Sequence, residues 1–290
     1  VGETRVDLLH LLEDLADAYP GDLEETLLTE IIANALDSGA TVIEILTDST
    51  ASALTVIDDG RGMSRAELRR FHDIAATTKT RGEGIGFAGV GIKLGLLVSS
   101  EVLTETRTVR SHVATTWRLS GRHRAQWQWT QPIGFVGARG TSVRLTLQNA
   151  LSPLLDSGFI ESLVRRHFEP LLNAAFDELL AAHYPGGVRF LVNGRELARV
   201  QPLAEHSATI SLRLGRRRKP SAVGFLVLAD STLPEERRGV AISTFGKVIK
   251  RGWDWLGLSP EAADRMTGLI EAPALAACLT LNKVDFIRSG

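Results

Sequence analysis

The sequence predicts an α+β chain, with helices packed on a mostly antiparallel sheet and a second domain of mixed α/β character behind it. Three observations predict this. Leu27, Leu28, Ile31, Ile32 and Ala35 recur at helical spacing over 23–38, and two strands follow, the first with a β-branched run. Strand patterns over 102–106, 114–119, 125–129 and 142–147 then succeed one another without crossover helices. Pro153 and a length of 290 residues argue for a second core, so 1–152 and 153–290 are read as two domains.

The elements follow in order. An amphipathic helix spans 6–19. The helix over 23–38 is stopped by Gly39. Strands over 41–47 and 53–57 come next, and the second runs into Asp58-Asp59-Gly60-Arg61-Gly62. Ser64 and Glu67 form a capping box for a helix to about residue 75. Glycines at 82, 84, 86, 89 and 91 require a loop, and a helical stretch over 92–99 follows it. In the second domain a long helix is expected over 158–183, ended by Pro185-Gly186-Gly187. Strands over 188–192 and 196–197 flank Asn193-Gly194, a hairpin turn. Further strands are read over 209–214, 222–228, 240–243 and 268–271, with helical pieces near Trp253 and over 260–266.

Composition narrows the class. A net charge of -1, 44% hydrophobic and 23% charged residues describe an ordinary globular chain without a global basic field. No apolar run is long enough to cross a bilayer, and the start lacks the layout of a signal peptide. Cys278 is the single cysteine, which excludes an internal disulfide. The expectation is a cytoplasmic protein. The chain begins at Val1 and stops at Gly290, which reads as a fragment whose flanking domains are missing. The run Arg216-Arg217-Arg218-Lys219 reads first as a solvated hairpin tip and second as a phosphate contact.

The chemistry-bearing residues cluster in the first domain. Glu30 and Asn34 lie four apart on one helix, so both leave the same face. An acid and an amide beside an apolar stripe need partners. An asparagine oxygen suits a hard cation such as Mg²⁺, and a glutamate can take a proton from water. Asp58 ends a strand on the side of Leu54 and Val56, where it can accept a hydrogen bond from an amino group. Gly60 and Gly62 let a flat base approach the backbone. The glycine loop ending at Gly91 runs into a helix start, whose free N–H groups favour phosphate. Lys79 and Lys93 add positive charge on either side of it. A Walker A loop would need Gly-Lys-Ser/Thr, whereas the chain has Gly91-Ile92-Lys93. A dinucleotide fingerprint would place its acid after the glycines, not before them.

These elements, in this order, resemble the GHKL ATPases, which include the MutL, gyrase-subunit, HtpG, MORC and histidine-kinase groups. Glu30-Ile31-Ile32-Ala33-Asn34-Ala35-Leu36-Asp37-Ser38-Gly39-Ala40-Thr41 resembles the family's N-box, closest to the MutL wording, and Asp58-Asp59-Gly60-Arg61-Gly62-Met63 its adenine box. Ile85-Gly86-Phe87-Ala88-Gly89-Val90-Gly91 is similar to the phosphate loop of HtpG and MORC proteins. Arg139-Gly140-Thr141-Ser142-Val143 is similar to the later Gly-Thr box. The resemblance implies the Bergerat sandwich, an antiparallel sheet with helices on one face, and an ATPase that uses ATP and Mg²⁺. It implies Glu30 as general base, Asn34 on Mg²⁺, and Asp37 near the nucleotide. Asp58, Gly60, Gly62, Met63 and Thr141 would hold adenine. Lys79, Gly86, Phe87, Ala88, Gly89, Val90, Gly91, Ile92 and Lys93 would surround the phosphates.

The second domain resembles transducer domains, chiefly through Leu279-Thr280-Leu281-Asn282-Lys283-Val284-Asp285-Phe286. The implied role of Lys283 is contact with the γ-phosphate, with Lys247 and Lys250 as competitors. The implied activity is a nucleotide-gated, dimerising clamp of MORC or MutL type acting on DNA. An HtpG-like chaperone ATPase and a nucleotide-sensing module with little turnover are the alternatives.

Overall fold

The computed structural model describes residues 6–19, 21–73, 82, 84–86, 91–200, 207–213, 221–280, 283 and 285–287. They fall into two units. The first comprises Val1–Lys79, Gly86–Leu163 and Val188–Leu197, and the second Thr80–Ile85, Val164–Gly187 and Ala198–Gly290.

In the first unit, helix α1 (Leu8–Asp17) starts at Asp7, whose carboxylate accepts from His10 N–H at 3.2 Å. Helix α2 (Leu23–Asp37) has Glu24 and Glu25 in its first turn, where the helix dipole favours acids. Ten of its 15 residues are buried, so α2 lies inside the unit rather than on it. Strands β1 (Val42–Asp48) and β2 (Ala53–Asp58) form an antiparallel pair. Helix α3 (Arg65–Phe71) opens with the expected capping box of Ser64 and Glu67. A 3-10 turn, Gly91–Leu94, leads into the one-turn helix α4 (Gly95–Val98). Strands β3 (Ser99–Arg107), β4 (His112–Gly121), β5 (Arg124–Thr130) and β6 (Gly140–Leu147) complete the sequence-predicted set.

The sheet order is β5-β4-β3-β6-β2-β1, extended past β1 by strands β7 (Arg189–Val192) and β8 (Arg195–Glu196). Helices and an eight-stranded sheet make the mixed α/β core expected of the Bergerat fold. The β7–β8 hairpin turns at Asn193 (φ 49°) and Gly194 (φ 77°), as Asn-Gly requires. Its place corrects the expectation. β1 exposes an unpaired ladder, and β7 pairs with it in parallel, from Val42 opposite Arg189 to Ile45 opposite Val192. The boundary at 152/153 therefore does not coincide with the units, because Val188–Leu197 and the segment to Leu163 pack with the first.

The long helix expected over 158–183 is broken. Helix α5 (Ser157–His167) ends before Pro170, which lacks an N–H and disfavours helix in the residue before it. A 3-10 turn, Glu169–Leu172, follows, and then Asn173, whose side chain accepts from Ala175 N–H at 3.0 Å to start another. Helix α6 (Asp177–Leu180) is a single turn.

The second unit is built on strands β9 (Ser207–Leu212), β10 (Ala222–Leu228), β11 (Gly239–Thr244), β12 (Lys247–Gly252) and β13 (Met266–Glu271), in the order β12-β11-β13-β10-β9. Among its described strands, β11 and β13 are the pair that runs parallel. Ala222, Ile242 and Ala272 form a core cluster with Trp255, Ile270, Leu275 and Phe286. β12 is absent from the sequence reading because Lys247, Lys250 and Arg251 hide its alternation. Its turn is also unusual, with Phe245 (φ 51°) before Gly246 (φ 81°). The helical piece expected over 260–266 is a turn to residue 265, and Met266 opens β13. The basic run 216–219 and Asn282 lie outside the described residues.

Candidate functional site

Asp58 and Gly60 of the adenine box lie against Ser38 at the C-terminal end of the N-box helix α2. Glu30 is 4% exposed, because α2 is sunk into the unit. Asn34 is half-buried one turn on, and Asp37 Oδ2 accepts from Gly86 N–H at 2.8 Å. Gly86 is therefore held against the end of α2.

Gly91 begins the 3-10 turn directly against Glu30. A Cβ at Gly91 would lie 2.5 Å from Glu30 Cβ and 2.6 Å from Oε2, so no side chain fits. Ile92 and Lys93 are buried beside it. Lys93 sits 5.5 Å from the centre of the Phe71 ring, and burial lowers its pKa to about 8. Lys79, Phe87, Ala88, Gly89 and Val90 lie outside the described residues.

Asp58 lies opposite Thr141 in the β2–β6 register. Its Oδ1 accepts from Gly60 N–H at 2.8 Å and from Ser38 Oγ at 3.3 Å. Burial nevertheless pushes its pKa up to about 6, and these donors only partly oppose it. A Cβ on Gly60 would collide with the Ser38 hydroxyl, so this contact requires glycine. Met63 N–H donates to Thr106 Oγ1 at 2.7 Å, and Thr106 Oγ1 donates to the Gly140 carbonyl at 3.0 Å. Thr106 also meets the Thr141 hydroxyl at 3.2 Å. Gly62, at φ 69°, packs on the Arg107 and Gly140 carbonyls.

Asp59, the second acid of the box, is structural. It accepts from Thr41 N–H at 2.7 Å, Thr41 Oγ1 at 2.6 Å and Val42 N–H at 2.9 Å, and so ties β2 to the start of β1.

Three residues of this region escaped the sequence reading. Ser38 is hidden at a helix end and Thr106 in a strand of threonines. Tyr19 is a half-buried residue whose hydroxyl is pushed upward by burial first and by the charge of Glu30 second. Only Ser38 carried a signal, since it stands within the N-box.

The residues fit a magnesium nucleotide on chemical grounds. No group of three His, Cys, Asp or Glu side chains is poised for a metal among the described residues. The Asn34 amide oxygen is a neutral donor of the kind a hard cation takes beside phosphate and water oxygens.

In the second unit Lys283 is 2% exposed, with φ 58°, and its N–H donates to the Thr280 carbonyl at 3.0 Å. Lys247 is buried, and Lys250 Nζ pairs with Asp285 at 3.2 Å. Among the described residues, no helix is long and apolar enough to cross a membrane.

Comparison with known proteins agrees with the geometry. The sequence model of the family described as histidine kinase-, DNA gyrase B-, and HSP90-like ATPase matches residues 22–133. The chain is 28% identical to the DNA mismatch repair protein MutL of Heliobacterium modesticaldum over 242 residues, covering 78% of this chain and 34% of that protein. It is 27% identical to the chaperone protein HtpG of Paramagnetospirillum magneticum over 175 residues, 50% of this chain and 27% of that one. A MutL of Bacteroides fragilis is 35% identical over 81 residues, 26% of this chain and 13% of that one. The chain thus spans about a third or less of these relatives. Residues 22–133 thus resemble this GHKL family of ATPases, and MutL and HtpG proteins are among the chain's relatives.

Proposed function

We propose that this chain binds and hydrolyses ATP with Mg²⁺ and works as a nucleotide-gated, dimerising clamp of MutL or MORC type on DNA, in the cytoplasm. The observation that carries the reading is the buried Glu30, held against the backbone of Gly91 at the end of the glycine loop. Asp58 accepts the adenine amino proton, with Gly60 and Gly62 giving the base access and Met63 and Thr141 beside it. N–H groups at the start of the Gly91–Leu94 turn and the loop over 86–91 receive the phosphates. Lys79 and Lys93 add positive charge there, and Asn34 holds the cation, with Asp37 fixing the start of the loop. When bound, Mg²⁺ held by Asn34 would neutralise part of the phosphate charge. Glu30 takes a proton from water as its oxygen attacks the γ-phosphorus. The bond to the bridging oxygen breaks and ADP leaves. Lys283 supplies a point charge to the γ-phosphate. The N-terminal segment, with α1, takes part in dimer closure.

The DNA mismatch repair relatives favour the DNA reading. The HtpG relatives favour a second one, a chaperone ATPase. The test is phosphate release and molar mass by light scattering, with ATP and with a non-hydrolysable analogue, for wild type and Glu30→Ala. Wild type should release phosphate and double in mass with nucleotide, while Glu30→Ala binds ATP without releasing phosphate. Binding without turnover or dimerisation in either protein would leave a nucleotide sensor. Absence of ATP binding in both would overturn the reading.

A further inference from the structure

Beside the adenine box the first unit has a second feature that the ATPase chemistry does not use. Arg61, Ser64, Arg65, Thr108, Val109, Arg110, Ser111 and Arg139 line a shallow groove of about 410 Å³. Three chain segments build it: the loop and helix start after β2, the β3–β4 turn, and the approach to β6.

Two of its four arginines are held in place. Arg61 Nη1 pairs with Glu67 at 2.8 Å, and the Arg65 guanidinium lies 4.0 Å over the Trp129 ring. The other two, Arg110 and Arg139, are exposed, and no side-chain hydrogen bond, ion pair or ring contact engages either guanidinium among the described residues. Arg61 also ties up Glu67, an acid on the helix that follows it. Two fixed and two uncommitted guanidiniums around one groove make a concentrated positive surface. On a chain of net charge -1, this is where a polyanion is drawn.

The lining also says which polyanion. Guanidinium forks match phosphate and carboxylate equally well. A protein partner would need a buried aromatic or aliphatic anchor. Val109, 96% exposed at the turn, is the single apolar side chain here. Hydroxyls fill the remaining positions. Ser64 Oγ accepts from Glu67 N–H and also bonds the Glu67 carboxylate. Thr108 and Ser111 share one hydrogen bond at 3.0 Å, which leaves one of the two hydroxyl protons over. Arginines with serine and threonine hydroxyls, without an apolar anchor, are the usual contacts of a nucleic-acid backbone.

We propose that this groove binds the phosphodiester backbone of duplex DNA, with Arg65, Arg110 and Arg139 as its principal contacts. The proposal gives the DNA reading a site, rests on that reading for the choice of duplex, and is independent of hydrolysis.

The test is fluorescence anisotropy of a labelled 20-base-pair duplex against salt. It compares wild type, the double variant Arg65→Ala with Arg110→Ala, which leaves the nucleotide boxes intact, and a control with the same charge change, Arg124→Ala with Arg189→Ala. ATP binding is measured on the same preparations, so failure of the nucleotide reading shows separately. The groove variant should bind duplex at least about tenfold more weakly at moderate salt, with the slope of log affinity against log salt reduced by about two. The control should stay near wild type, and all three should bind ATP alike. Equal losses in both double variants would mean a diffuse charge effect and would overturn the site. So would absence of duplex binding by wild type at low salt, or preferential binding of polyglutamate over duplex.

Discussion

Two carboxylates on neighbouring parts of the first unit are treated in opposite ways. Glu105, in β3, is fully buried. It accepts from the N–H groups of Ile133, Gly134, Phe135 and Val136 at 3.0–3.3 Å and meets His112 Nε2 at 2.8 Å. Burial pushes its pKa up, but His112 and these N–H groups outweigh it and hold the group below the usual glutamate range. Asp58, at the end of β2, has fewer donors, and burial wins, raising it to about 6. A carboxylate whose lone pairs are filled by its own chain fixes a loop, here the approach to Gly140 and Thr141. One left short of donors keeps capacity for a ligand's amino group.

The largest expected effect breaks the satisfied side. Glu105→Ala leaves four backbone N–H groups and His112 facing a void. It should cost about 3–5 kcal/mol of stability, read as a lower denaturant midpoint at unchanged slope. ATP affinity at low temperature should change far less than stability. Next is Gly91→Ala, which forces Glu30 aside, since the new Cβ would lie 2.5 Å from the Glu30 Cβ. Phosphate release should fall by about tenfold to a hundredfold, the cost of a base misplaced by about an ångström, while ATP still binds. The smallest effect concerns pH. The Asp58 pKa is about 6, so its acceptor is charged above that pH and neutralised below it. ATP affinity should weaken several-fold from pH 7.5 to 5.5. The same group has the opposite sign in stability. Its folded pKa is raised, so its contribution is present at low pH and is lost as pH rises through about 6.

What the sequence made legible follows the same division. α2, β1, β2 and the capping box of α3 were readable because periodicity, a glycine stop and an S-x-x-E pattern are local signals. The Asn193-Gly194 hairpin was readable too, but not its partner. The pairing of β7 with β1 joins residues about 150 apart and depends on which edge is open. The helix expected over 158–183 failed because apolar spacing persisted through Pro170, and the proline decides. At the site, Glu30, Asn34 and Asp58 stood out by residue type and spacing. Ser38 was marked only by its place in the N-box, and Thr106 not at all, since a hydroxyl among many becomes informative only when the fold brings it to Asp58 or Gly140. Glu105 gave no signal either, because its donors come from a loop about 30 residues on.

The most direct measurement is the dissociation constant for Mg-ATP at pH 7.5 by titration calorimetry, for wild type, Asp58→Ala and Glu105→Gln, each confirmed folded by circular dichroism. If the under-satisfied acid is the adenine acceptor, Asp58→Ala loses affinity by at least about tenfold, a hydrogen bond to a charged group, and Glu105→Gln stays close to wild type. Unchanged affinity in Asp58→Ala, or equal loss in both variants, would contradict the assignment of Asp58 as the group that receives the base.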